Sequence, residues 1–147
     1  MNKLNFTPAE IDFEKMVREK IDGNTFSQHL GMRITTIEAG IANAEMEITP
    51  THLQQLGFIH GGVTATFADV VMGFAAYTLI KRGQSVVTAD LRISYLNPGI
   101  GNKLFAKGWV IKPGSRMHFC EAELWTEDNS GKQTIIAKCS STMIVVQ

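Results

Sequence analysis

The stretch that decides the fold is residues 53–80, LQQLGFIHGGVTATFADVVMGFAAYTLI. Nearly every residue is apolar or small, Gly61 and Gly62 stand side by side, and Asp69 is the one acidic residue. Read as a helix, the segment carries apolar side chains on almost all sides, so packing along a single stripe cannot satisfy it. A sheet that curls around it can. A coarse hydropathy scan also allows a membrane span. Gln54, Gln55, His60, the threonines and Asp69 make the segment too polar for that, and a buried core helix fits better.

The flanks agree with a wrapped helix. Residues 7–22, TPAEIDFEKMVREKID, carry helix signals: Thr7 as N-cap, Pro8 at the first helical position and Glu10 placed to complete a capping box. Phe13, Met16, Val17 and Ile21 form one apolar stripe, and Gly23 ends it. From Met32 the period falls to two. MRITTIEA and IANAEMEIT predict a hairpin turning at Ala39–Gly40, with Ala44, Met46 and Ile48 on one face and Pro50 as its stop. Gly83 is the expected end of the central helix.

Four strand-like runs follow, SVVTADLRISYL, KLFAKGWVIK, MHFCEAELWTE and KQTIIAKCSSTMIVV. They are separated by NPGIGN, PGS and EDNSG, which are turn-forming sequences. Connections this short join antiparallel neighbours, because parallel strands need long crossovers. The predicted order is α–β–β–α–β–β–β–β, an α+β fold without repeats or linkers. One domain over residues 1–147 is expected, with an N-terminal helix in 1–23 and the core in 24–147.

Fourteen basic and fourteen acidic side chains cancel, so no global field favours nucleic acid or an anionic membrane. An anionic ligand has to be met by a local group of charges. The start MNKLNFTPAEIDFEK has no apolar core of a secretory signal. Cys120 and Cys139 lack CxxC spacing. A cytoplasmic location with reduced, buried thiols is the expectation, and a disulfide between them is the alternative. His29, His52, His60 and His118 are scattered with no HExxH or CxxC partner, so no metal set is suggested. Neither GxGxxG nor GxxxxGK[ST] occurs.

Two features of the central segment point to chemistry. The glycine pair falls where a loop passes into the helix, and the first helical turn has N–H groups without internal partners and a partial positive charge. Such an end holds a carbonyl oxygen or stabilises an oxyanion; a tight turn packed against a strand is the plainer alternative. Asp69 lies two turns further in, too far to cap, and a buried unpaired carboxylate is costly. Pairing with a basic side chain, or lining a wet groove, is its structural alternative. Eight residues separate Gly61 from Asp69, about 12 Å along one helix. A single reacting group cannot touch both within one chain. Two chains related by a two-fold axis can bring the glycine end of one to the acid of the other.

At these residues the sequence resembles the hotdog-fold thioesterases, in particular the PaaI-like acyl-CoA thioesterases. The resemblance rests on GFIHGGVTATFADVVMGFAA, with support from VVTADLRISYLNPG and GWVIKPGSRMHFCEAELW, and extends from about Asn24 to Val146. It implies a hotdog fold, in which a long central helix is wrapped by a curved antiparallel sheet. It also implies an acyl-CoA hydrolase acting as a homodimer, often paired into a tetramer, with coenzyme A part of the substrate and no other cofactor.

Carried over by position, the resemblance assigns the polarising N–H to Gly61 and the nucleophile or general base to Asp69 of the facing chain. Gln54 falls near the thioester and water, Thr88 hydrogen-bonds the acid or water, and His60 holds the loop. Gly62 joins Gly61 in lining the approach of the substrate. For the anionic nucleotide the candidates are Lys112, Ser115 and Arg116, with Lys81 and Arg82 behind them; a solvated surface charge is the alternative for each. Met72, Phe74 and Tyr77 are candidates for an acyl tunnel or simply core.

Without a Ser–His–Asp triad the chemistry is still coherent, because a thioester is already activated. A hydratase or dehydratase acting on acyl thioesters and a non-catalytic acyl-CoA-binding module are the competing readings. The acyl group, and acyl-carrier-protein against coenzyme A, stay open at this level.

Overall fold

The computed structural model describes residues 5–147. The elements in chain order are α1 (Phe13–Asp22), α2 (Thr25–His29), β1 (Arg33–Glu38), β2 (Ile41–Glu47), a 3-10 turn (Pro50–His52), α3 (Gly61–Tyr77), β3 (Ser85–Tyr95), β4 (Lys103–Pro113), β5 (Met117–Glu127) and β6 (Gln133–Val146). All strand pairs are antiparallel, and the six strands form one sheet in the order β1-β2-β4-β5-β6-β3. The helix α3 packs against all six. This is the α+β hotdog architecture that the wrapped-helix pattern called for.

Packing explains the composition of α3. Phe67, Ala68, Val71, Met72, Ala75 and Ala76 are buried in the core together with Leu104, Ala106, Leu124 and Ala137 of the sheet. Small residues let helix and sheet approach closely. The extreme point is Gly108 on β4: a Cβ there would lie 2.6 Å from the Val71 carbonyl carbon.

The hairpin forms as expected, with Gly40 at φ +75° in its turn and Ala42, Ala44 and Met46 buried. The strands β3 to β6 match the four predicted runs to within a residue or two at each end. The expected pairing across PGS and EDNSG forms, but NPGIGN does not join neighbours: β3 pairs with β6 at the sheet edge, and β4 lies between β2 and β5.

Three boundaries differ, each for a tertiary reason. The N-terminal helix starts at Phe13 rather than Pro8, with Asp12 and not Thr7 at its N-cap, one to two turns late. Glu10 is not used in a capping box; its carboxylate accepts the Arg82 backbone N–H, and Asp12 pairs with the Arg82 guanidinium. These contacts tie the segment to the turn after α3 in place of a first helical turn.

A second short helix, α2, follows Gly23, with the Asn24 side chain accepting the Ser27 N–H as its cap. At the other end α3 stops at Tyr77, not near Gly83. The Thr78 hydroxyl donates to the Ala75 carbonyl and accepts the Gly40 N–H, anchoring the helix end to the β1–β2 turn. Gly83, at φ +88°, serves the next turn.

Cys120 and Cys139 are free and buried, and burial pushes their thiols up to about 12 and about 11. Both are thus poor nucleophiles. Among the described residues no helix is long and apolar enough to cross a membrane.

Candidate active site

The loop before α3 is pinned before the site begins. The His60 N–H donates to the His52 carbonyl, Gln54 N–H to the Phe58 carbonyl, and Ile59 N–H to the Gly99 carbonyl. His60 is the N-cap of α3, and its Nδ1 accepts the Gly62 N–H at 2.9 Å. The two glycines are therefore not equivalent. Gly62 has its donor occupied, whereas the Gly61 N–H has no acceptor among the described residues. The Gly61 carbonyl accepts the Tyr95 hydroxyl at 2.7 Å. A Cβ on Gly61 would sit 3.1 Å from that same oxygen, so the lock leaves little room for a side chain. Partial burial, with a smaller contribution from Cys139, raises the Tyr95 phenol above its ordinary value, which keeps it a donor.

Gly61, Gly62, Gln54, Tyr95 and Asn97 line one pocket of about 500 Å³. The Gln54 Oε1 accepts the Leu56 N–H at 2.7 Å and closes its own turn.

Asp69 opens onto a different pocket, of about 390 Å³, together with Thr88, Gly73, Phe74, Tyr77 and Met143. The Thr88 hydroxyl donates to Asp69 Oδ1 at 2.7 Å, while Oδ2 has no hydrogen-bond partner among the described residues. Asp69 is half-buried in the single chain rather than enclosed, because β3 is an edge strand and leaves this side open. A bulge between Thr88 and Asp90 sets the register: Thr88 and Leu91 lie opposite Met143 and Ser141, both on the buried side of β6. Without that extra residue Thr88 and Leu91 would face opposite sides of the sheet.

The two pockets share no residue. One chain thus holds the free donor and the acid apart, as the helix spacing requires.

The anion candidates fare differently. Lys112, Ser115 and Arg116 lie exposed at the β4–β5 turn and line neither pocket. Arg82 is spent on Asp12, and Lys81 lines neither pocket. Phe74 and Tyr77 line the acid pocket, whereas Met72 is wholly in the core. Reasoning from sequence missed Tyr95, Gly73, Lys20 and Asn24, the last two reaching the acid pocket from the N-terminal helices. Tyr95 sits inside the quoted VVTADLRISYLNPG, but nothing in its spacing indicates a bond 34 residues back to Gly61. Among the described residues no three His, Cys, Asp or Glu side chains group as a metal site would require.

An α+β hotdog subunit with a free helical N–H and a carboxylate–hydroxyl pair defines a class of thioester-processing proteins. The model of the thioesterase superfamily matches residues 56–132, more than half of the chain, and the chain belongs to that superfamily. The proofreading thioesterase EntH of Klebsiella pneumoniae is 33% identical over 81 residues, 55% of this chain and 59% of that protein. The match thus spans less than two thirds of that relative's length. Human acyl-coenzyme A thioesterase 13 is 29% identical over 121 residues, 80% of this chain and 84% of that one. A crystal structure of a thioesterase family protein from Silicibacter pomeroyi superposes with a TM-score of 0.89 at 27% identity, covering 91% of this chain and 98% of that one.

Proposed function

We propose that this chain hydrolyses the thioester of an acyl-CoA, releasing the free acid and coenzyme A, at sites completed by a second copy. Membership of the thioesterase superfamily and the acyl-CoA thioesterases among its relatives support the reaction class. The observation that carries the shared site is the split between the Gly61 pocket and the Asp69 pocket. β3 offers the means of joining them. It is an eleven-residue sheet edge on which Val87, Leu91 and Tyr95 stay 51%, 36% and 54% exposed. Free edges of that length and apolarity are normally covered.

Antiparallel pairing of two β3 edges about a two-fold axis near Leu91–Arg92 sets residue 95 of one copy opposite residue 88 of the other. Tyr95 is bonded to Gly61 and Thr88 to Asp69. The same axis therefore brings each donor to the other copy's acid, twice.

In that arrangement the thioester carbonyl accepts the Gly61 N–H at the positive end of α3, where developing negative charge is stabilised. Asp69 supplies the attack on the carbonyl carbon, directly or through a water it deprotonates, with Oδ2 free and Oδ1 held by Thr88. The C–S bond breaks and coenzyme A leaves as its thiolate; after direct attack, water then cleaves the acyl–Asp69 anhydride, releasing the free acid and restoring the carboxylate. Gln54 borders the donor pocket and is placed to orient the thioester or water.

Lys112, Ser115 and Arg116 remain the candidates for the anionic nucleotide; their turn is reached from Thr88 across β6 and β5, where Met143 and then His118 are the cross-strand partners. His60 spends Nδ1 on the Gly62 N–H, which suits a positioning role and argues against a histidine-driven hydratase. The reaction invokes no further cofactor, and pairing of dimers adds nothing to it. A cytoplasmic site of action suits a coenzyme A thioester as substrate.

The test is thiol release from a panel of acyl-CoAs by the wild type and by Asp69→Asn. The variant is expected to keep its fold and its affinity while kcat falls by about 10²-fold or more. Near-normal kcat in the variant removes Asp69 from the mechanism. Consumption of an enoyl-CoA without thiol release removes hydrolysis.

A further inference from the structure

Beyond Asp69, the same face of α3 presents Gly73 and then Tyr77, at steps of four residues. All three line the acid pocket, whose other walls include Phe74, Val86 and Met143. Gly73 is the gap in that stripe. A Cβ built on it would meet nothing within 4 Å among the described residues, and its φ is not positive. Neither backbone conformation nor packing inside the chain requires glycine here. Gly108 is the contrast, since a Cβ there would run into the Val71 backbone. An interior helical glycine is less stable than alanine, so the chain gives up helix stability at Gly73 and keeps an open volume next to Asp69, the one acid of α3.

The Asp69 carboxylate lines that volume, and so do Lys20 of α1 and Asn24. The Lys20 ammonium lies 5.9 Å from the centre of the Tyr77 ring, eight residues along α3 from Asp69. The walls between are mainly apolar, and about 390 Å³ lies within the usual range of small-molecule sites.

We propose that Gly73 is a specificity-determining residue: its missing side chain makes room for the acyl group along α3 beyond Asp69. The substrates are then acyl thioesters with a ring or a medium-length apolar chain, not acetyl groups, and the N-terminal helices form the floor that limits their length. This rests on the thioesterase reading above and deepens it.

The test compares Gly73→Ala, Gly73→Val and Gly73→Leu with the wild type. Thiol release is measured from acetyl-CoA, octanoyl-CoA and phenylacetyl-CoA, and gel filtration checks assembly. The ratio of kcat/KM for the large acyl groups over acetyl is expected to fall in the order Ala, Val, Leu, by at least tenfold for Leu. An unchanged ratio in Gly73→Leu overturns the assignment. Equal loss on all substrates together with loss of assembly also overturns it, since Gly73 would then be a contact between copies.

Calorimetry with non-hydrolysable thioether analogues of octanoyl-CoA and acetyl-CoA reads the same pocket without turnover. Selective loss of the octanoyl analogue in Gly73→Leu supports the assignment even if the wild type hydrolyses nothing, in which case only the reaction is wrong. Retained binding of that analogue overturns the size reading and leaves hydrolysis standing.

Discussion

At the residue scale, the lone acid of the central segment resolves into one half of a pair. Asp69 faces a groove with Thr88 donating to it, so its carboxylate has a fixed direction without a buried salt bridge. Its isolation was legible because no other Asp, Glu, Lys or Arg occurs over 28 mostly apolar residues. Its partner was reachable only through resemblance, since Thr88 lies 19 residues on, in a strand whose register a bulge just beyond it sets.

His118 is the opposite case, a titratable group the chemistry does not use. It is buried on β5 between Met143 and Pro113, its Nδ1 has no hydrogen-bond partner among the described residues, and burial lowers its pKa below 6.5. As pH falls through 6.5 the unfolded state takes up this proton first, so stability is full above that pH and is lost as pH drops toward the folded-state value. The loss has a limiting slope of about 1.4 kcal/mol per pH unit. Urea denaturation of the wild type and His118→Leu from pH 8 to pH 5 checks this. The difference in unfolding free energy between them should change below pH 6.5, and a constant difference refutes the assignment.

At the scale of elements, strand period and turn composition located the sheet, because two-residue alternation and runs such as NPGIGN are local signals. Helix ends were less legible. Thr7, Pro8 and Glu10 spell a capping box, yet the Arg82 N–H claims Glu10, and Thr78 ends α3 by bonding to Gly40 in another part of the chain. Where two elements meet most closely the constraint is steric. Gly108→Ala would set a methyl group within 2.6–2.8 Å of backbone atoms of Val71 and Met72, and main chain cannot rotate away as a side chain can. The expected cost is about 1–3 kcal/mol, seen as a lower urea midpoint with an unchanged slope. An alanine variant of wild-type stability shows that α3 is free to lift off β4.

For the whole molecule, the exposed β3 edge is the feature that the single chain leaves unfinished. Leu91 sits at the centre of the proposed two-fold seam, on the helix side of the sheet and 36% exposed. Leu91→Lys places two like charges close to the axis, which opposes pairing without touching Asp69 or Gly61. Gel filtration is expected to give a 16.2 kDa monomer where the wild type runs as a dimer or larger, with thiol release lost in parallel. A monomer that keeps full turnover would show that one chain suffices.

The sequence by itself determined the wrapped helix, the strand segments, the hairpin and the singular acid, because each is written in short-range period and composition; the place of β3 beside β6 and not β4 was not so written. Only the tertiary structure decided which glycine N–H is free, that Tyr95 locks Gly61, that Thr88 meets Asp69, and that Gly73 faces empty space. Those facts depend on distances of a few ångströms between residues far apart in the chain. Register, bulges and close packing set such distances, and hydrophobic period carries no record of them.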